Sequence, residues 1–481
     1  MTLGNSSTPT ATDPTPQPRL SLPTMFRLGL FQLGLGIMSV LTLGVLNRVM
    51  IKELAIPATI AAGTIAMHQF MAPARLWFGQ LSDAKPILGY HRSSYIWVGS
   101  LLFALMAFLA VQVMWQLGDS LQGGWTGQTT AWTALLALVF VGYGISLSAG
   151  STPFAALLVD VSDEDNRSKL VGVVWSMLMV GIVIGAILSA RLLPQPVGSS
   201  CQKLGTTDLA LLRAAVNRLF LIVPGLVFGL SLLATVGIEG KYSRFAERSS
   251  LVEREDQITL GRALRVLTAS PQTGLFFTFL LFMTISLFMQ DAIMESYGGQ
   301  VFGMCVADTT RLNAFWGTGT LLGISLTGFA ITPRIGKKQT AKLGCLMVGF
   351  CLLLVILIGF SANPKLLQYG LLLFGFASGV TTTGAISLML DLTAAETAGT
   401  FIGAWGLAQA MARAIATVLG GALLDLGRVL FTNITLAYGL VFIIQALGMF
   451  TAVWLLGRVN VAEFRSNTKA AIAAVMEGDL D

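Results

Sequence analysis

Apolar runs of about 20 residues, the length at which a helix crosses a bilayer, follow one another along the chain with short clusters of charge between them. They predict twelve helices at roughly 27–47, 57–82, 94–115, 131–159, 170–192, 214–238, 272–292, 309–332, 340–360, 365–390, 397–424 and 434–457. The longest polar connection, Glu239 to Pro271, carries Lys241, Arg244, Arg248, Glu253, Arg254, Glu255, Asp256, Arg262 and Arg265 and divides the spans six and six. The expected fold is an all-α integral membrane protein of twelve transmembrane helices in two six-helix bundles. Its expected units are a disordered Pro/Thr/Ser-rich tail (1–24), a first bundle (25–238), a cytoplasmic central loop (239–271), a second bundle (272–457) and a cytoplasmic C-terminal tail (458–481).

Composition excludes a soluble reading. Of 481 residues, 54% are hydrophobic and 11% charged, against about 25% charged in soluble domains, and the mean hydropathy is +0.75. The net charge of +6 reflects topology and not a nucleic-acid partner. With the N-terminus inside, 19 Lys/Arg fall on the inner side, 9 on the outer side and 2 within spans, which places both termini in the cytoplasm of a photosynthetic or plasma membrane. No secretory signal is read, because Arg19 is the one basic residue of the first 24. At a shift of 231 residues, Ser151, Thr152, Leu157, Asp160 and Gly172 fall on Thr382, Thr383, Leu388, Asp391 and Gly403, and Gly144 falls on Gly375, so the halves read as a repeat.

The loop after the second span reads Gly79-Gln-Leu-Ser-Asp83-Ala-Lys85, then Gly89-Tyr-His91-Arg92. It resembles the signature loop of the major facilitator superfamily. Gly79 would let helices approach, Asp83 would meet a guanidinium or a helix N-terminus, and the basic residues would hold the loop at the cytoplasmic face. Resemblance also implies that Asp160, closing the fourth span, and Arg167 in the following loop pair with that loop, so that Gly79, Asp83, Arg92, Asp160 and Arg167 form a gating latch. Asp391 is its counterpart in the second half, where the basic loop Thr332-Pro-Arg334-Ile-Gly336-Lys337-Lys338 lacks the aspartate. An ordinary solvated connection is the alternative.

Ionisable residues inside apolar spans are costly and therefore candidates for function. His68 and Arg75 lie on the second span, Gln409 and Arg413 on the eleventh. Superfamily resemblance sets these spans face to face, with His68 near Arg413. A packed histidine, a carbonyl-capping Arg413 and an Arg75 that snorkels to the interface are the bland readings. Asp291 and Glu295 are read as a solvated outer rim, and Asn47 and Arg48 as an interfacial anchor or partner contact. The spans then offer no internal carboxylate, which weighs against proton-coupled drug or sugar transport. Cysteine spacing fits no metal site. Cys345 and Cys351 read as core residues. Because the fifth and eighth spans are neighbours in the superfamily, a disulfide between Cys201 and Cys305 is expected at the outer gate. No phosphate loop, nucleophile elbow or paired metal ligands appear, so the chain is read as a non-enzyme. Gly181-x-x-x-Gly185 reads as close helix packing.

A closer resemblance rests on Leu30-Phe31-Gln32, Leu46-Asn47-Arg48-Val49-Met50-Ile51, Glu53-Leu54, Pro57-Ala58, Ala72-Pro73-x-Arg75, Gly79-x-x-Ser82-Asp83, Tyr95-Ile96-Trp97 and Gly399-Thr-Phe401-Ile-Gly403-Ala-Trp405-Gly406-x-x-Gln409. These segments are similar to the PucC/LhaA family of light-harvesting complex assembly, or bacteriochlorophyll delivery, proteins. The resemblance implies binding or delivery of chlorophyll or bacteriochlorophyll. The implied partners are membrane lipid, light-harvesting or photosystem subunits and pigment-synthesis enzymes. Two departures, His91-Arg92-Ser93-Ser94-Tyr95 in place of a more basic motif and His68 at a position expected to be apolar, point to a divergent branch. His68 is the candidate ligand for a chlorin magnesium. Arg75, Trp405, Gln409 and Arg413 are candidate contacts to pigment or substrate. The rival is a secondary transporter of a small organic anion that uses Arg75 and Arg413.

Overall fold

The computed structural model describes residues 20–162, 164–193, 206–243, 271–392 and 398–460, and is entirely helical apart from one isolated bridge between Ile87 and Tyr90. Where no water can satisfy backbone N–H and C=O groups, a helix pairs them within one segment. Ten helices among the described residues are long and apolar enough to cross a membrane. In chain order, α1 runs from Leu22 through two π-helical stretches to Glu53, followed by α2 (Ala58–Phe70), α3 (Ala74–Ala84), α4 (Ser93–Leu121), α5 (Gly127–Asp160), α6 (Glu164–Leu192), α7 (Thr206–Thr235) and the short α8 (Ile238–Tyr242). The second half contributes α9 (Pro271–Phe288), α10 (Met294–Val301), α11 (Val306–Leu326), α12 (Lys337–Ser361), α13 (Pro364–Leu392), α14 (Ala398–Leu430) and α15 (Ile434–Arg458).

Among the described residues each predicted apolar run falls on helical structure, with breaks in the second and the seventh. Helices outlast the runs because end caps extend them into polar sequence. Thr126 and Thr129 form a reciprocal capping box that starts α5 four residues before the apolar run, and Asn433 caps α15 by accepting from the Thr435 N–H at 2.9 Å. The second predicted span is two helices, α2 and α3, separated by a turn at 71–73 that includes Pro73. The seventh stops at Phe288, passes through a tight helical turn at Met289–Ala292 and resumes as α10.

The halves of the chain meet along α2 with α14 and along α6 with α11. Small residues permit this. A Cβ on Gly421 of α14 would meet the Ala58 carbonyl of α2, and within the first half Cβ atoms on Gly181 and Gly185 would meet the backbone of Leu33 and Ile37 of α1. Gly144 and Gly375 play the same part in their halves, the first against the backbone of His68 in α2 and the second against that of Trp316 in α11. Large apolar side chains such as Leu138, Leu221 and Leu357 face outward, as a lipid-contacting surface requires.

Candidate functional site

Three layers of polar side chains run through the molecule. The first lies at the end that carries the loop between α3 and α4. Arg92, 4% exposed, is its centre. The guanidinium donates through Nη2 to Asp83 at 2.5 Å, through Nε to Asp160 at 2.9 Å and through Nη1 to the Ser82 hydroxyl at 2.6 Å. Asp83 and Asp160 are thus joined by one guanidinium fork. Glu239, which sequence reading assigned to the central loop, completes the layer: its carboxylate accepts from the backbone N–H groups of His91, Arg92 and Ser93 at 2.6–3.2 Å, capping the N-terminus of α4. Gly237, at φ +73°, ends α7 and turns the chain back to deliver it. Gly79 does not act as expected, because a Cβ there would make only an ordinary 3.6 Å contact with the Thr152 methyl. The side chains of Arg167 and Asp391 lie outside the described residues. In the second half the corresponding basic loop instead places the Lys338 ammonium 2.7 Å from the Val459 carbonyl, beyond the end of α15.

The second layer closes the opposite end. Asn47 and Arg48 are 4% and 1% exposed, which corrects the interfacial-anchor reading. The π-helical stretches Val40–Leu46 and Val49–Glu53 carry α1 past its apolar run and turn both residues inward. Asn47 Nδ2 donates to the Ala292 carbonyl at 2.5 Å; Arg48 donates to the main-chain carbonyls of Glu295 at 3.2 Å and Met304 at 3.1 Å and pairs with Glu53 at 3.3 Å. Gly299 leaves the space that the Arg48 guanidinium fills. Beside them Asp425 of α14 accepts from the N–H of Ala58 and Thr59 at 3.1 and 2.8 Å and from the Thr59 hydroxyl at 2.7 Å, so it caps α2 from the other half of the chain. Six hydrogen bonds from Asn47, Arg48, Thr59 and Ala58 therefore hold this end of the two halves together across α1 and α2.

Between these layers lies a cavity of about 270 Å³ that both halves line. Arg413 stands over the Phe288 ring at 3.6 Å, and Thr417, one turn on, donates to Gln69 of α2 at 3.3 Å. Asp291 and Glu295 line the same cavity, and Glu295 is 7% exposed. The expected solvated rim is therefore wrong, as is the absence of an internal carboxylate. A run-length reading assumes a straight helix, whereas the break after Phe288 folds these carboxylates back inside.

His68 sits on the α5 side of this layer, with Tyr143 edge-on at 5.6 Å and Phe140 at 6.4 Å between centroids. α2, which carries His68, packs on α14, which carries Arg413, as the predicted juxtaposition of the second and eleventh spans requires. Nδ1 lies 2.5 Å from the Ile65 carbonyl. A carbonyl only accepts, so in the neutral ring Nδ1 holds the proton and Nε2 keeps its lone pair. Arg75 is exposed and Gln409 half-buried, while the Trp405 side chain lies outside the described residues. His68 thus has the tautomer a magnesium ligand needs. The cavity is smaller than the roughly 300–1,000 Å³ of pockets for drug-sized ligands and does not enclose a tetrapyrrole.

Cys305 is disulfide-bonded, Cys345 and Cys351 are free and buried, and Cys201 lies outside the described residues. Among the described residues no three His, Cys, Asp or Glu side chains cluster as a metal site.

Known proteins share both the fold and the sequence. The nucleoside transporter NupG superposes with a TM-score of 0.63 at 11% identity, covering 91% of this chain and 99% of that one. The D-xylose-proton symporter gives 0.57 at 12% identity over 89% and 96%. The fold is therefore that of the major facilitator transporters, and the protein is an integral, multi-pass membrane protein. In sequence, the chain is 30% identical over 462 residues to the bacteriochlorophyll synthase 44.5 kDa chain of Rhodobacter capsulatus, covering 95% of this chain and 98% of that one. It is 28% identical to Protein PucC of the same organism over 90% and 91%. The PUCC protein family model matches residues 45–464, and the chain belongs to that family.

Proposed function

We propose that the protein binds chlorophyll or bacteriochlorophyll and hands it to light-harvesting or photosystem subunits during their assembly, without catalysing a reaction. The observation that carries this reading is end-to-end similarity to relatives named for bacteriochlorophyll and PucC. In this reading twelve spans form two bundles of six, at 25–238 and 272–457, with both termini in the cytoplasm, where the excess of Lys/Arg lies. His68 would hold the pigment through Nε2, and the bound pigment would supply its magnesium as the acceptor for that lone pair. Phe140 and Tyr143 wall the imidazole in place, and Arg75, exposed two residues beyond the break in the second span, offers a donor to a pigment carbonyl. Since the cavity does not enclose the macrocycle, the ring would lie on an open face rather than inside. Asp83, Arg92 and Asp160 would act as the latch, with Arg167 and Asp391 assigned to it by resemblance. We also assign Cys201 as the partner of Cys305. Removing the protein from its native membrane is expected to deplete assembled pigment–protein complexes while pigment synthesis continues; unchanged complexes would refute the assignment.

A second reading, transport of a small organic anion by alternating access, draws on the shared fold and on a cavity between the halves that Arg413 lines. Asp291 and Glu295 weigh against it, because two carboxylates line the same cavity as Arg413.

A further inference from the structure

Arg413, Asp291 and Glu295 are the charged side chains that line the cavity between the halves. Glu295 is already matched: its Oε1 accepts from Asn313, its main-chain carbonyl accepts from Arg48, and that buried guanidinium keeps an Nε–H to spare beside it. Arg413 and Asp291 are the charges that remain, one of each sign. The Arg413 guanidinium lies over the Phe288 ring at 3.6 Å, which occupies its face and leaves its N–H edges open. Asp291 is fixed by a relay of amides. Gln445 of α15 donates to the Ser286 carbonyl at 3.0 Å and to Gln290 Oε1 at 2.7 Å, and Gln290 Nε2 donates to Asp291 Oδ1 at 3.0 Å.

Each charge is thus held by something other than its opposite. Arg413 is exposed and Asp291 half-buried, so both keep surface that a bound molecule can reach. Among the described residues no acceptor bonds the Arg413 guanidinium, no second donor reaches Asp291, and the two side chains stand beyond the 4.0 Å of an ion pair. A cation alone would enter beside Arg413 and an anion alone beside Asp291, while an uncharged molecule would strip water from both charges and pair neither. A molecule that carries both signs meets each with its complement. Ile182, Trp316 and Phe374 add apolar wall to the same cavity, whose volume of about 270 Å³ holds a molecule smaller than drug-sized ligands.

The geometry points to a binding site for a small zwitterion, an amino acid whose carboxylate accepts from the Arg413 guanidinium, whose ammonium donates to Asp291 and whose apolar side chain packs on Ile182, Trp316 and Phe374. His68 is not among the residues that line this cavity, and the inference does not depend on the pigment reading. It differs from the organic-anion alternative in requiring the positive charge on the ligand as well.

The test titrates the purified full chain with L-leucine and with two molecules that keep its hydrocarbon and one of its charges, 4-methylpentanoate and 3-methylbutylammonium. Leucine should raise the melting temperature saturably, by about 2 °C or more as its site fills, and the two singly charged molecules should not. Asp291→Asn and Arg413→Gln should each weaken leucine at least about tenfold, and they should change the preference in opposite senses. Asp291→Asn should come to favour 4-methylpentanoate, and Arg413→Gln 3-methylbutylammonium, a reversal that a merely structural role for either residue would not produce. Equal responses of the wild type to leucine and to either singly charged molecule, no saturable response to leucine, or the same preference in both variants would each overturn the inference. If the variants do not fold, the three-probe comparison on the wild type decides. Pigment content, recorded alongside, bears on the assembly reading alone.

Discussion

Replacing Arg92 by Leu tests the first polar layer most severely. The guanidinium is 5% exposed in its side chain and bridges Asp160, at 8%, to Asp83, at 57%. Solvent screens the Asp83 contact, which contributes at most about 1 kcal/mol. Asp160 is different: its pair with Arg92 is buried, and breaking a buried pair costs about 3–5 kcal/mol. Ser82 loses a donor as well, adding about 1 kcal/mol. The expected total is about 4–6 kcal/mol, nearly all of it through Asp160. A double-mutant cycle of Arg92→Leu and Asp160→Asn, read by denaturant or thermal unfolding in detergent, isolates the pair term. Coupling of at least about 2 kcal/mol is expected there, against less than about 1 kcal/mol for the cycle with Asp83→Asn. Additive effects at Asp160, or stronger coupling at Asp83 than at Asp160, would refute the reasoning.

Other outcomes follow from the same geometry. Glu239→Ala should cost about 1–2 kcal/mol by uncapping α4, and Glu239→Gln less, because the amide oxygen still accepts; equal stability of Glu239→Ala and wild type would contradict the cap. Gly299→Ala should destabilise by about 1–3 kcal/mol, because the new methyl overlaps the Arg48 guanidinium. Gly79→Ala should be neutral or stabilising by up to about 1 kcal/mol, since an open helical site gains propensity; melting temperatures of the two variants should therefore move in opposite directions or differ clearly. Alkylation under denaturing, non-reducing conditions should add two groups, at Cys345 and Cys351, and prior reduction should raise this to four; four before reduction would refute the Cys201–Cys305 assignment.

Much of this protein was legible in its sequence because two of its signals are local. Apolar run length located the membrane-crossing segments, though not their breaks, and the Asp83, Arg92 and Asp160 set announced itself by a loop motif whose partners lie at helix ends. Asp291 and Glu295 were misread because the same rule of run length supposes a straight helix, and the chain breaks after Phe288. Arg48 was misread for the converse reason, since π-helical turns prolong α1 beyond its apolar stretch. Glu239 was missed although a signal existed: a glycine two residues before it, after a long apolar run, marks a helix end that returns the chain. The hydrogen bonds of Asp425 to α2 join residues 366–367 positions apart, and no pattern in one sequence encodes such a pairing.

The proposal of pigment binding is tested most directly by the colour of the protein itself. Purified in mild detergent from its native membrane, the full chain is expected to carry a chlorin in stoichiometric amount, seen in its absorption spectrum and in extracted pigment, and His68→Ala is expected to lose most of it while keeping its elution profile. Chlorin retained in His68→Ala would remove His68 as the ligand, and a folded, colourless wild-type protein would contradict the account.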